Sequence, residues 1–293
     1  MRLLLGLAAA MLSFWLPMDG SAQAQGTYPV RPIRLVVPFP PGGGADSLAR
    51  AITPKASQVL GQPIVIDNKP GANGIVGAEQ VVRAPGDGHT LLITDIISLL
   101  VSPSISAKLS FDPLKDLVPV AMVSYSPHLL VVHPGVPAMN LAEFIAYARS
   151  KPGKLNFATV GAGSAPHLAG ALFAKRAGIS WTYIPYKGGG QALADLAGGQ
   201  VDAMFNGSLA TTPFVKSGKL RALALSGDKR QASLEGLPTV AESGFPGFLT
   251  GSWQGILASP GTPREVVAKL NAEINKVLRD PEIRDKLALQ GAE

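Results

Sequence analysis

The sequence predicts an α/β protein of two lobes, each a mostly parallel sheet flanked by helices and joined by two crossover strands. Three observations carry that reading. Strand-like apolar runs alternate with helically spaced ones through nearly the whole chain, the pattern of parallel sheets covered on both faces. Near residues 118–132 two apolar runs follow one another with only "SYSPH" between them and no helix, as expected where a chain passes from one lobe to the other. The stretch from Ser226 to Gly251 is rich in Gly, Pro and Ser and precedes a further strand and helix, as expected where it passes back.

The first residues form no part of that fold. Arg2, the apolar run from Leu3 to Leu16 and the "AQA" of Ala22–Ala24 make a secretory signal over 1–24, cleaved after Ala24. The run is shorter than the ~20 apolar residues a spanning helix needs. Its removal leaves 269 of 293 residues, a length that suits two domains sharing an interface. It takes one Arg and one Asp from 26 basic and 20 acidic residues, so the net charge stays at +6. That surplus suits anionic ligands or surfaces, though most of it serves solubility. No Lys/Arg block with interleaved aromatics occurs, which argues against a nucleic-acid partner. The chain has no cysteine, which excludes disulfides and thiolate chemistry in an exported protein.

Along the remaining chain, strands are predicted at Ile33–Phe39, Ile64–Asp67, Thr90–Thr94, Val118–Val123, Leu129–Val132, Asn156–Thr159, Thr182–Pro185, Ala203–Asn206, Leu220–Ser226 and Gln254–Ala258. "IRLVVPF" is β-branched and apolar enough to be buried on both faces. Helices fall between most of these strands. Leu141–Ser150 can be capped by Asn140, and Pro263–Arg279 opens with Thr262 at the cap and proline at the first position. The resulting lobes are 25–123 and 124–226, with 227–293 returning to the first and the second crossing falling within 226–251.

Two glycine-rich turns stand where strands give way to helices. "PFPPGGGADS", residues 38–47, puts Gly42, Gly43 and Gly44 ahead of a helix that repeats Leu48, Ile52, Ala56 and Val59. "NFATVGAGSAPHLAGALF", residues 156–173, puts Gly161, Gly163 and Ser164 ahead of another. At such turns bare amides and the positive end of a helix dipole converge on an anion. On opposite lobes they would make two jaws around a cleft, where such architectures bind small ligands. Gly43 is a position where a β-branched side chain would occupy the anion's place and strain the backbone. Asp46, Thr94, Asp95, Asp202 and Asn206 stand at strand or helix ends, where they either cap or line the cleft.

Enzyme signatures fit poorly. "GGGADS" has no P-loop lysine. The Rossmann pattern loses its third glycine to Ser47, although Asp67 lies near the spacing of a ribose ligand. "GAGSAPH" is not a nucleophile elbow, and Ser164 with His167 lacks an orienting acid. His89, His128, His133 and His167 have no metal-binding spacing. No catalytic residue, cofactor or metal follows from the residues.

Taken together, "YPVRPIRLVVPFPPGGGADSLAR", "VIDNKPGANGIVGAEQV", "GDGHTLL", "FDPLKDLVPVAMV", "GAGSAPHLAGALF", "YKGGGQALADLAGGQVDAMF", "LPTVAESGFPGF" and "GTPREVVAKLNAEI" strongly resemble the Bug family. These are periplasmic receptors of tripartite tricarboxylate transporters, and the match runs in order from about Tyr28 to Glu293. The resemblance implies a type II periplasmic binding protein, not an enzyme, that closes on one ligand carboxylate held by backbone amides and ordered waters. Carried over by residue, that site is Phe39, Pro41, Gly42, Gly43 and Asp46 on one lobe and Thr159, Gly163, Ser164 and His167 on the other, with Asp202 matching the family's "VD". The implied partners are the transporter's membrane subunits or, for a sensing receptor of the same fold, a sensor protein.

Three departures from the family stand out. Between Leu92 and Pro103 many relatives carry small and polar residues where this chain reads "ITDIISLLVS". If that segment lines the cleft, Asp95 and Ser98 face the ligand beside an apolar wall of Ile96, Ile97 and Leu99. The implied ligand is a carboxylate with an apolar or aromatic body and an amine or hydroxyl near Asp95, and not citrate. Pro54 falls inside the first helix and should interrupt and kink it. Finally, relatives continue for roughly another strand and helix past "LALQGAE", which implies uncovered apolar surface on the first lobe.

Overall fold

An apolar run without polar alternation has to be covered on both sides, and Ile33–Val37 is. It forms β1, the middle of three parallel strands, between β2 (Ile64–Asn68) and β3 (Thr90–Asp95). The computed structural model describes residues 28–105 and 109–293, so the signal read at 1–24 lies outside the described residues. One face of this sheet carries α1 (Gly44–Leu60), the other α2 (Ile75–Val82) and α3 (Ile96–Ile105). The first helix is not interrupted at Pro54; its 17 residues run through that position.

The two runs around "SYSPH" are not separate strands. They form β4 (Val118–Val132), one continuous strand of 15 residues. Its first part, to Pro127, pairs antiparallel with β9 (Gly251–Ala258), which pairs in turn with β3. From His128 onward it pairs with β7 (Ala203–Gly207) and β8 (Arg221–Leu225). The second lobe completes a parallel set with β5 (Asn156–Thr159) between β7 and β6 (Thr182–Pro185). The strand order is therefore β2-β1-β3-β9-β4-β7-β5-β6, with β8 also on β4.

Helices α4 (Leu141–Ser150) and α5 (Ala165–Ala177) cover one face of the second lobe around Phe144, Phe157, Phe173 and Phe205, all fully buried. Asn140 caps α4 by accepting the Glu143 amide. Helices α6 (Gly189–Ala197) and α7 (Ser208–Lys216) cover the other face. Residues 227–250 belong with this lobe and not with the return: Val240 and Phe248 enter the Phe173 core, and Leu234 and Leu237 pack on the opposite face. The chain comes back only with β9, followed by α8 (Arg264–Arg279) and α9 (Pro281–Leu289), whose Leu270, Ile274, Ile283 and Leu287 share a core with α1. Pro263, not Thr262, is the cap of α8; the Thr262 hydroxyl instead donates to the Ser259 carbonyl at 2.7 Å.

His128 sits where β4 changes partners and is fully buried. Its ring nitrogens meet Thr250 Oγ1 at 3.1 Å and Ser252 Oγ at 3.2 Å, so both are used without an acid to favour the charged form. Burial pushes its pKa down to about 3. The unfolded chain takes up that proton near 6.5, so the neutral ring's contribution is complete above that pH and is lost as pH falls toward 3. The expected slope is about 1.4 kcal/mol per pH unit across that window. Urea midpoints of wild type and H128Q between pH 4 and 7 check this, the variant losing that share of the acid dependence.

Candidate functional site

The carboxyl ends of parallel strands face the space between the lobes, and the helices that follow begin there. A cavity at this place is lined by the first residues of four helices: Gly43 to Ala45 before and in α1, Ser164 and Pro166 at α5, Gly189 at α6, and Gly207 with Leu209 at α7. Gly43, Gly188 and Gly207 hold the cap positions of α1, α6 and α7 and supply no capping side chain. The first turns of α1 and α6 therefore leave uncapped amides at the cavity with the positive ends of the dipoles, whereas those of α5 are spent: Ala165 donates to Ser98 Oγ, position 166 is proline and His167 donates to Ser164 Oγ. Among the described residues, no Lys or Arg lines the cavity.

The turn before α1 is braced from behind. Gly42 adopts φ +87°, the left-handed region that suits glycine. Its amide donates to Asp46 Oδ2 at 3.0 Å. Asp46 is buried and also accepts from Arg50 Nε at 2.9 Å, Arg50 Nη2 at 3.1 Å and Asn68 Nδ2 at 3.1 Å. Burial alone would raise its pKa, but the bonds from Arg50, Gly42 and Asn68 outweigh it and hold the carboxyl below its ordinary value. Asp46 thus shapes the turn and does not line the cavity, nor do Pro41 and Gly42. The strain expected at Gly43 belongs to Gly42: Gly43 has φ −83°, and a Cβ there would stand 3.8 Å from the Gly189 amide nitrogen, an ordinary contact.

On the other lobe Gly161 and Gly163 have φ of +102° and +75°. Ser164 caps α5 by accepting the His167 amide at 3.3 Å, and its hydroxyl donates to the Gly161 carbonyl at 2.8 Å. His167 Nδ1 accepts the Gly163 amide at 3.2 Å, and burial lowers its pKa. Serine hydroxyl and imidazole are both spent on this turn, so they form no nucleophile and base pair. Thr159 is buried behind it, bonding the Gly161 carbonyl. Thr159, Gly163 and His167 support the wall; of this set only Ser164 lines the cavity.

Two expectations fail. Asp202 precedes β7, at the end of the sheet away from the cleft, where its carboxylate accepts the Asn156 amide at 2.7 Å. The apolar wall of the "ITDIISLLVS" segment turns away too: Ile96, Leu99 and Leu100 line a groove on the far side of the sheet, beside the exposed Leu114 and Met122. Only Asp95 and Ser98 of that segment reach the cavity. Phe39, Gly43, Gly44, Ser164 and Asn206 join them as sequence-predicted residues that the fold brings together. Asn73, Ser126, Gly189, Ser252 and Gln254 were not foreseen. For Gly189 the signal was present: "YKGGG" is a glycine turn before a helix, like the other two jaws.

The two lobes touch across the cavity. The Ala165 amide of α5 donates to Ser98 Oγ at 3.1 Å, and Asn73 Nδ2 donates to the Ala162 carbonyl at 3.4 Å. Gly190 of α6 lies so close to the first jaw that a Cβ on it would come within 2.9 Å of the Gly42 carbonyl carbon. This is a closed arrangement, and glycine at 190 permits it.

Comparison with known proteins agrees with this geometry. The profile described as "Tripartite tricarboxylate transporter family receptor" matches residues 48–293. BugT of Bordetella pertussis is 39% identical over 267 residues, covering 91% of this chain and 82% of its own. An R. palustris protein solved with adipate is 37% identical with a TM-score of 0.88, over 91% of this chain and 89% of its own. MatC from Rhodopseudomonas palustris, solved with bound malate, is 37% identical with a TM-score of 0.85, over 90% of each chain. Glycine jaws on two lobes of a sheet crossed by shared strands, and a profile spanning most of the sequence, lead to one conclusion: this chain belongs to the tripartite tricarboxylate transporter receptors, the Bug proteins.

Proposed function

We propose that the chain is a periplasmic solute-binding protein that captures a small organic carboxylate between its lobes and delivers it to the membrane subunits of a tripartite tricarboxylate transporter. The observation that carries this reading is the convergence of four helix N-termini on one cavity, with no lysine or arginine among the described residues that line it. Such a site suits an anion through amides and dipoles alone. The adipate and malate held by two relatives support the same ligand class. Capture needs no bond to be made or broken, so the protein acts stoichiometrically and not as an enzyme. Closure follows from geometry, because only the closed form offers a ligand the amides of both lobes, and a ligand shifts a population only by that difference.

A thermal-shift screen of mono- and dicarboxylates on the mature chain tests this. A carboxylate at 100 times its dissociation constant adds about 2.7 kcal/mol of stability, a rise of about 5–10 °C for a chain of this size. A screen in which no carboxylate raises the melting temperature, while neutral or cationic solutes do, would overturn the reading.

A further inference from the structure

The floor of the cavity is the sheet itself, where β3, β9 and β4 lie side by side. Asp95 stands directly opposite Gln254 in that register, so their side chains share a face. Both line the cavity and both are nearly inaccessible, at 5% and 4% exposed. Asp95 Oδ1 accepts the Ser98 amide at 2.8 Å at the start of α3, but Oδ2 has no hydrogen-bond partner among the described residues, and neither has Gln254 Oε1. A buried acceptor left unpaired is costly, more so on a charged group, and its presence in a native site needs an explanation.

A second contrast sharpens the point. The jaws offer donors and the positive ends of helices, whereas the floor adds the unpaired carboxylate oxygen of Asp95, beside a Gln254 amide that can turn its oxygen or its nitrogen to a ligand. A plain carboxylate would satisfy the first and leave the second unpaired. A hydroxyl would bring one donor and no charge; an ammonium brings three donors and a positive charge. Burial raises the Asp95 pKa, opposed chiefly by the Ser98 amide, and a cation seated on it would restore the ionised form.

We propose that the ligand is a small zwitterionic amino carboxylate, its carboxylate on the amides of the jaws and its ammonium on Asp95 and Gln254. This rests on the carboxylate reading above and narrows it. The cavity holds about 60 Å³, well under the ~150 Å³ of a cavity that takes a benzene ring, so a short amino acid suits it better than the aromatic body expected from the sequence.

Isothermal titration of matched ligands on the mature protein decides it: alanine against propionate and lactate, β-alanine against propionate, and 4-aminobutyrate against butyrate, with malate and adipate alongside. The amino member of at least one pair is expected to bind on the order of 30-fold tighter than its amine-free partners. In D95N, shown to fold by its ligand-free melting curve, that advantage should fall to about threefold or less. Should D95N fail to fold, the wild-type pairs decide alone. Amine-free acids binding as tightly as the amino acids would overturn this inference and leave the carboxylate reading standing, as would lactate matching alanine. Failure of every acid, with or without an amine, would overturn both.

Discussion

Replacing Gly190 with valine is expected to weaken carboxylate binding about 100-fold while leaving the ligand-free protein as stable as wild type. A Cβ at 190 would sit 2.9 Å from the Gly42 carbonyl carbon and 3.0 Å from the Pro41 oxygen, both rigid backbone of the opposing jaw. Overpacking of this kind costs about 1–3 kcal/mol, and a branched side chain belongs at the upper end. In the open form that the proposed capture requires the two turns stand apart, so the whole penalty falls on closure. At about 1.4 kcal/mol for each tenfold change in population, the loss reads directly as affinity. Titration of the best carboxylate from the screen, with melting curves of the free proteins, checks both halves. Full affinity in G190V would mean that binding does not require the jaws to meet.

Replacing Asp46 with asparagine is expected to cost about 2–3 kcal/mol, the range for losing hydrogen bonds to a buried charge. The partner left behind, Arg50, has a side chain 56% exposed. Water therefore compensates it, and the penalty stays below that of an orphaned buried ion. The melting temperature should drop by about 5–10 °C. Because the folded carboxyl is held below its ordinary value, its contribution is complete above the unfolded pKa near 3.9 and is lost as pH falls through the folded one. The gap between wild type and D46N should thus be constant near neutrality and close at acid pH. A gap that persists unchanged at pH 2 would show that the carboxylate's charge is not what braces the turn. Affinity should fall as well, since the single carbonyl oxygen of asparagine cannot serve both Gly42 with Arg50 Nε and Asn68 with Arg50 Nη2, and the turn loosens.

The jaws were legible because glycine before a helix is written in residue types, and the positive φ at Gly42, Gly161 and Gly163 bears that out. Asp202 was misplaced for a reason the sequence does contain: it precedes its strand, and in a parallel set the cleft lies at the other end. The unity of β4 was hidden by Pro127, since proline inside an apolar run reads as a break. It is tolerated because it falls where β4 leaves β9 for β7. Ser126, Ser252 and Gln254 were out of reach, as their strands run antiparallel across the floor. Only the pairing of residues more than a hundred positions apart makes them neighbours. The outward turn of Ile96 and Leu99 likewise depends on which side of the sheet α3 packs.

A single ribbon of backbone, running unbroken through both halves of the molecule as β4 does, leaves neither half able to come apart alone. Heating should therefore produce one calorimetric peak, with the measured enthalpy equal to the van't Hoff value, in place of the two steps that separately folding domains would give. Such a ribbon also behaves as a leaf spring: the halves part by its flexing and twisting, without the slack of a loop hinge.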